Sequence, residues 1–152
     1  MSNVDAVIQA MTEQISIAGQ LSESQLAQLP TLGFQAVLNV RSHQEKGAMS
    51  DEQSKIEALG IPYVNIPVNP QMLDDALINQ VVGHIEALPK PLLVHCGSAL
   101  RAAFMVMLYQ VTRQNVGLDL AKTQSAELGF DFDQKPPFKT AITQYFATKE
   151  SS

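Results

Sequence analysis

The sequence predicts an α/β fold: a mostly parallel sheet of about four strands with helices on both faces. Three observations carry this. Short apolar runs alternate along the chain with segments of helical periodicity, in the order that parallel strands and crossover helices require. Capping and turn residues punctuate the runs, with no repeat, linker or low-complexity tract between them. Finally, 152 residues, 45% apolar and 16% charged, can bury one core but not two. Residues 1–152 are therefore read as one domain.

Ile15–Ala18 is a short first strand. Ser22-Glu-Ser-Gln25 is a capping box with Leu21 and Leu26 in staple positions, so a helix starts there and ends near Pro30 to Gly33. Phe34–Val40 is a strand bounded by charge at Arg41. Ser50-Asp-Glu-Gln53 repeats the capping signature and opens a helix that Gly60 closes. Tyr63–Val68 is the next strand, stopped by Asn69-Pro70. Leu77, Ile78, Val81, Val82, Ile85 and Leu88 then fall at helical spacing. His84 flanks that apolar face and reads as structural.

Leu92–His95 is a buried strand entered through Pro89-Lys90-Pro91. Arg101 to Gln114 is almost wholly apolar at its centre, which predicts a helix buried on most sides with Met105 and Met107 in the core. Further helices cover about Leu118–Leu128 and Phe138–Thr148. The order of elements leaves the order of strands open.

Charge and composition narrow the functional classes. The net charge is −5 and no block of Lys or Arg occurs, which argues against a nucleic-acid surface. The richest apolar stretch, Ala102 to Val111, is about half the length needed to span a bilayer. The N-terminus has neither a basic start nor an apolar signal core, so a cytoplasmic protein is expected, with no membrane partner. One cysteine and three scattered histidines give no disulfide and no metal-ligand spacing; neither metal nor cofactor is expected. Nothing in the sequence sets the oligomeric state. An anionic ligand would have to be held locally, by a loop and one or two arginines.

The segment Pro91-Leu-Leu-Val-His-Cys-Gly-Ser-Ala-Leu-Arg101 supplies such a loop. A buried strand delivers Cys96, a short small-residue loop follows, and Arg101 opens a buried helix. A loop of this kind turns backbone N–H groups inward beside a helix N-terminus, which favours a tetrahedral oxyanion and a cysteine thiolate. Arg101 can clamp two oxygens of that anion at once. A buried, inert thiol is the plain alternative for Cys96. It is weakened by Arg101, because a cation at a helix N-terminus opposes the dipole unless an anion compensates it.

His-Cys-(x)4-Arg after an apolar strand resembles the signature of the cysteine-dependent tyrosine and dual-specificity phosphatases. The likeness extends upstream through SIAGQLSESQLAQLPTLGFQAVLNVRSHQE, IPYVNIPV and LPKPLLVHC, covering about residues 14–130. That arrangement is similar to bacterial phosphatase-like domains of the beta-lactamase-hydrolase-like group. The resemblance implies a dual-specificity-phosphatase-like fold and a hydrolase acting on phosphomonoesters. Cys96 would be the nucleophile that forms a phosphocysteine and Arg101 the phosphate clamp. The amides of Gly97, Ser98, Ala99, Leu100 and Arg101 would form the cradle.

Three features depart from the typical pattern. Four residues separate Cys96 from Arg101, where typical tyrosine phosphatases have five; four is also the spacing of rhodanese-like loops that carry a persulfide. Ala102 stands where a Ser or Thr usually assists the leaving thiolate. Asn69 stands at the end of the strand after which the general acid Asp is expected, and an amide cannot serve as that acid. Two alternatives to a phosphatase therefore remain: a non-catalytic oxyanion-binding regulatory module, and a rhodanese-like sulfurtransferase.

Asp74 and Asp75 are candidates for the missing acid, although both also suit the first turn of a helix. Arg41 follows a strand that should end on the Cys96 side of the sheet, where ligands collect, and is a candidate pocket residue. His43 in the same loop reads as a solvated surface residue, and His95 as a side chain that hydrogen-bonds the loop rather than a base.

Overall fold

The computed structural model describes residues 5–150. Its sheet holds five strands, β1 (Ile8–Ala10), β2 (Ile15–Ala18), β3 (Ala36–Asn39), β4 (Tyr63–Asn65) and β5 (Leu92–His95), in the order β1-β2-β5-β3-β4. Four of them run parallel, and β1 joins β2 antiparallel with Ile8 opposite Ala18. The sheet thus has one strand more than expected. β1 is three residues of modest burial, too short for an alternating pattern to show. The expected strands Phe34–Val40 and Tyr63–Val68 shorten to Ala36–Asn39 and Tyr63–Asn65, although Val40 N and Ile66 N still donate to the His95 and Asn39 carbonyls just beyond them.

Among the described residues six α-helices accompany the sheet: α1 (Glu23–Gln28), α2 (Glu52–Glu57), α3 (Asp75–Ala87), α4 (Leu100–Arg113), α5 (Leu118–Glu127) and α6 (Pro136–Glu150). Contacts group the chain into two compact units. The first runs up to Pro67 and includes Ala87–Ala102; the second comprises Val68–Glu86 and the chain from Ala103 onward.

In the first unit, α1 begins as its sequence demands. The Ser22 hydroxyl accepts from Gln25 N at 3.1 Å, and the Gln25 side chain accepts from Ser22 N at 3.0 Å. The second capping box does not form. The residue preceding α2 is Asp51, at φ −104° and ψ 16°, with no side-chain cap bond. Glu52, in the first turn of α2, turns inward and is fully buried. Gly60, at φ +79°, ends that segment, and its N–H donates to the Glu57 carbonyl. Ala18, Leu21, Leu26, Leu29, Val37, Ile56, Tyr63 and Leu93 then form one apolar core beneath α1 and α2. Burying each of the larger side chains is worth roughly 1.5–3 kcal/mol.

In the second unit, Phe104, Phe132 and Phe138 meet with ring centroids 4.8–5.7 Å apart. The fully buried Tyr145 of α6 donates its hydroxyl proton to Asn79 Oδ1 of α3 at 2.6 Å. Ala103 through Leu108 are all fully buried, as the apolar centre of α4 predicts. Among the described residues no helix is long and apolar enough to cross a membrane.

Candidate active site

Period-two alternation places Leu93 and His95 on one face of β5, and Val37 and Asn39 on the same face of β3. The faces are apolar in the middle of the strands and polar at their carboxyl ends, where Asn39 pairs in register with both His95 and Asn65. A first layer of hydrogen bonds fixes this end. Asn65 Nδ2 donates to the carbonyls of Asn39 (2.9 Å) and Arg41 (2.7 Å), and Arg41 N donates to Asn39 Oδ1 (2.8 Å).

The loop after β5 is held from the neighbouring strand. Cys96 N donates to Ala18 O at 3.1 Å, and Gln20 N donates to Gly97 O at 3.2 Å. Gly19 bridges Ser98 at the same place. A β-carbon on Gly19 would lie 2.9 Å from the Gly97 carbonyl oxygen, so only glycine allows this approach. Further along, Ala99 adopts φ +73°, a left-handed conformation that an L-residue with a β-carbon pays for in strain. This turn lets the chain enter α4 at Leu100, with Arg101 in its first turn.

Cys96 itself is fully buried at the base of the loop. Both guanidinium groups lie over its neighbour: a β-carbon on Gly97 would come within 3.4 Å of Arg101 Nη2 and of Arg41 Nε. Arg101 is held still more firmly protonated than usual, first by its bond to Glu45, which outweighs the opposing effect of burial.

Glu45 is the site residue that the sequence reading missed. Arg101 donates to it twice, Nη1 to Oε2 at 2.7 Å and Nη2 to Oε1 at 2.9 Å. Arg41 Nε donates to Oε1 at 3.1 Å and Ser42 N to Oε2 at 3.0 Å. The Arg101 bond above all, with those of Ser42 and Arg41, lowers the Glu45 carboxyl to about 2 against the opposing effect of burial. It is an ionised acceptor and cannot be the missing general acid.

Arg41, expected as a pocket residue, uses its other nitrogens within the protein. Nη1 donates to Gln20 Oε1 at 3.0 Å and Nη2 to the Lys46 carbonyl at 2.6 Å. Beneath the loop, the buried His95 and Glu52 pair through Nε2 and Oε2 at 2.6 Å. Burial pushes the Glu52 carboxyl up, but its bonds to His95, Gln20 and Tyr63 together bring it below its usual value. His43 is not a solvated surface residue: its Nε2 meets the Tyr63 hydroxyl at 3.1 Å and its ring stands edge-on to Tyr63.

The three candidates for the acid lie in the second unit. The side chain of Asn69 accepts from Gln71 N at 3.0 Å and caps a 3-10 turn over Pro70–Met72. Asp74 Oδ1 accepts from Leu77 N at 2.8 Å at the start of α3, and Asp75 occupies the first turn of that helix. Both placements suit carboxylates at a helix N-terminus.

The parallel sheet, with a strand delivering Cys96 and a helix opening on Arg101, defines a dual-specificity-phosphatase-like domain. The comparisons with known proteins agree. The family model for the beta-lactamase hydrolase-like protein, phosphatase-like domain, matches residues 7–113, and the chain belongs to that family. A DUF442 protein of Shewanella putrefaciens CN-32 is 25% identical, with a TM-score of 0.77 over 93% of this chain and 89% of that one. A Neisseria meningitidis Z2491 protein shares the fold at 16% identity, with a TM-score of 0.72 over 88% and 97% of the two chains. TpbA of P. aeruginosa, solved as a cysteine-to-serine variant in complex with pTyr, does so at 16% identity, with a TM-score of 0.72 over 92% and 88%. No curated protein matches the chain in sequence.

Proposed function

We propose that this protein is a cysteine-dependent phosphatase that hydrolyses phosphomonoesters through a phosphocysteine on Cys96. The observation that carries the reading is the loop itself: Cys96 at the end of β5, and Arg101 in the first turn of α4 with its guanidinium fixed by two bonds to Glu45. The Cys96 thiolate attacks phosphorus, the S–P bond forms, and the ester P–O bond breaks. The leaving oxygen takes a proton from water. A second water then attacks phosphorus, the S–P bond breaks, and inorganic phosphate departs while Cys96 regains its electron pair. Arg101 and the amides of Gly97, Ser98, Ala99 and Leu100 stabilise the charge on the transferring group. The pTyr found with TpbA supports a phosphorylated ligand of the same kind.

A second reading, an oxyanion-binding module without turnover, is favoured by one observation. Asn69 stands in the acid's position in the sequence, and its side chain is occupied in capping a turn. Hydrolysis of para-nitrophenyl phosphate, with Cys96→Ser as control, separates the two. Release of para-nitrophenol that vanishes in the Ser protein supports the phosphatase. Vanadate binding without any release supports the module.

A further inference from the structure

We propose that Glu52 and Gln20 are positioning residues that fix the direction of a hydrogen-bond chain from His95 to Arg101, and so hold both arginines in register with the Cys96 loop. The inference deepens the phosphatase reading and rests on it. The chain is continuous. His95 Nε2 meets Glu52 Oε2 at 2.6 Å, Gln20 Nε2 donates to Glu52 Oε1 at 2.9 Å, and Arg41 Nη1 donates to Gln20 Oε1 at 3.0 Å. Arg41 Nε and both terminal nitrogens of Arg101 then donate to Glu45, at 3.1, 2.7 and 2.9 Å. One end of the chain lies on the residue before Cys96 and the other on the arginine that closes its loop.

Chemistry forces the direction of every link. A guanidinium only donates, and an ionised carboxylate only accepts. Gln20 stands between one of each with an amide that carries both a donor and an acceptor; its NH2 also donates to the Leu21 carbonyl at 3.2 Å, which favours the same direction. With Glu52 ionised, the Gln20 NH2 must turn toward Glu52, and its oxygen is left facing Arg41. Glu52, the charged and nearer of the two acceptors of the Gln20 NH2, therefore sets, from beneath the sheet's end, whether Arg41 finds an acceptor. Arg41 in turn shares the Glu45 carboxylate with Arg101, so a slack Arg41 loosens the carboxylate that orients Arg101.

Glu52→Gln reverses the link. With the proton kept on His95 Nε2, the introduced amide gives its oxygen to His95 and its NH2 to Gln20. Gln20 must then turn its oxygen toward position 52 and its NH2 toward Arg41, donor against donor. Adding Gln20→Glu repairs the direction with no change in net charge. The carboxylate at position 20 then accepts from both Arg41 and the amide at position 52. A role in packing alone predicts no such repair.

The test follows the Arg41 side-chain N–H signals by NMR, assigned by their loss in Arg41→Lys, and measures orthovanadate affinity by calorimetry. Glu52→Gln should speed solvent exchange of those signals and weaken vanadate by about tenfold, the scale of one unsatisfied polar group. Gln20→Leu should do the same while leaving the buried His95–Glu52 pair intact, which covers the case of an unfolded Glu52→Gln protein. The double variant Glu52→Gln with Gln20→Glu should return both readings to wild type. Unchanged Arg41 signals in Glu52→Gln or Gln20→Leu overturn the proposal, as does a double variant no better than Glu52→Gln. Wild-type protein that binds no vanadate refutes the phosphatase reading, and the Arg41 signals still decide this one.

Discussion

Arg101 grips Glu45 with both terminal nitrogens, at 2.7 and 2.9 Å, in the forked geometry that a guanidinium also uses for phosphate. The residue that closes the cysteine loop is thereby oriented by a carboxylate 56 positions away in sequence. An oxyanion arriving at the loop meets a guanidinium whose rotation is already restricted, which lowers the entropic cost of binding it.

The Glu45 contact should appear in the pH dependence of stability. The folded-state value of about 2 lies below the ordinary 4.5, so the contribution is fully present above 4.5 and is lost as pH falls toward 2. Wild type and Glu45→Gln should differ most in unfolding free energy above pH 4.5, and the difference should shrink between there and 2. A difference that stays constant over that window would show that Glu45 is not held as an anion.

Ala99 should be a site of stored strain. Its φ of +73° costs an L-residue about 1–2 kcal/mol, whereas glycine adopts it freely at an entropic cost of about 0.5–1 kcal/mol. Ala99→Gly should therefore raise stability by about 0.5–1 kcal/mol in denaturant titrations. A loss of stability would show that the Ala99 methyl makes contacts that outweigh its backbone.

Gly19 presents the opposite case. The methyl of Gly19→Ala meets a backbone oxygen at 2.9 Å, and neither strand nor loop can rotate away as a side chain would. The variant should lose about 1–3 kcal/mol and bind vanadate more weakly, since the loop at Gly97 must move. Unchanged affinity in a destabilised protein would mean that the strain relaxes into β2 instead.

The substitution Asn69→Asp tests the proton supply. General acid assistance is worth about 10²–10⁴ in rate, and it matters most when the leaving group is basic. Wild type should prefer aryl over alkyl phosphates. Asn69→Asp should raise turnover of alkyl phosphates far more than of aryl ones, and nothing should be gained with Cys96→Ser present. Brisk alkyl-phosphate turnover by wild type would mean that another group supplies the proton, and Asp74 and Asp75 would be mutated next.

Where the pattern is local, the sequence is legible. The Ser22–Gln25 capping box, the strand Leu92–His95 and the step from Cys96 to Arg101 are local patterns, and the structure contains all three. What could not be read depends on contacts distant in sequence. Glu52 pairs with His95 across 43 positions and with Gln20 across 32, and nothing local separates a buried Glu52 from a first-turn surface acid. The signature at Ser50 does open a helix, but its side-chain cap is absent, and the Glu52 within it is buried. Glu45 lies in an irregular loop with no periodicity from which a direction could be inferred.

The most direct test of the account is to trap the intermediate. Protein mixed with para-nitrophenyl phosphate and quenched in acid should carry one phosphoryl group, and peptide mass spectrometry should place it on Cys96. Cys96→Ser should carry none on that cycle and release no para-nitrophenol. Hydrolysis that persists in Cys96→Ser, or a phosphoryl group on another residue, would contradict the account.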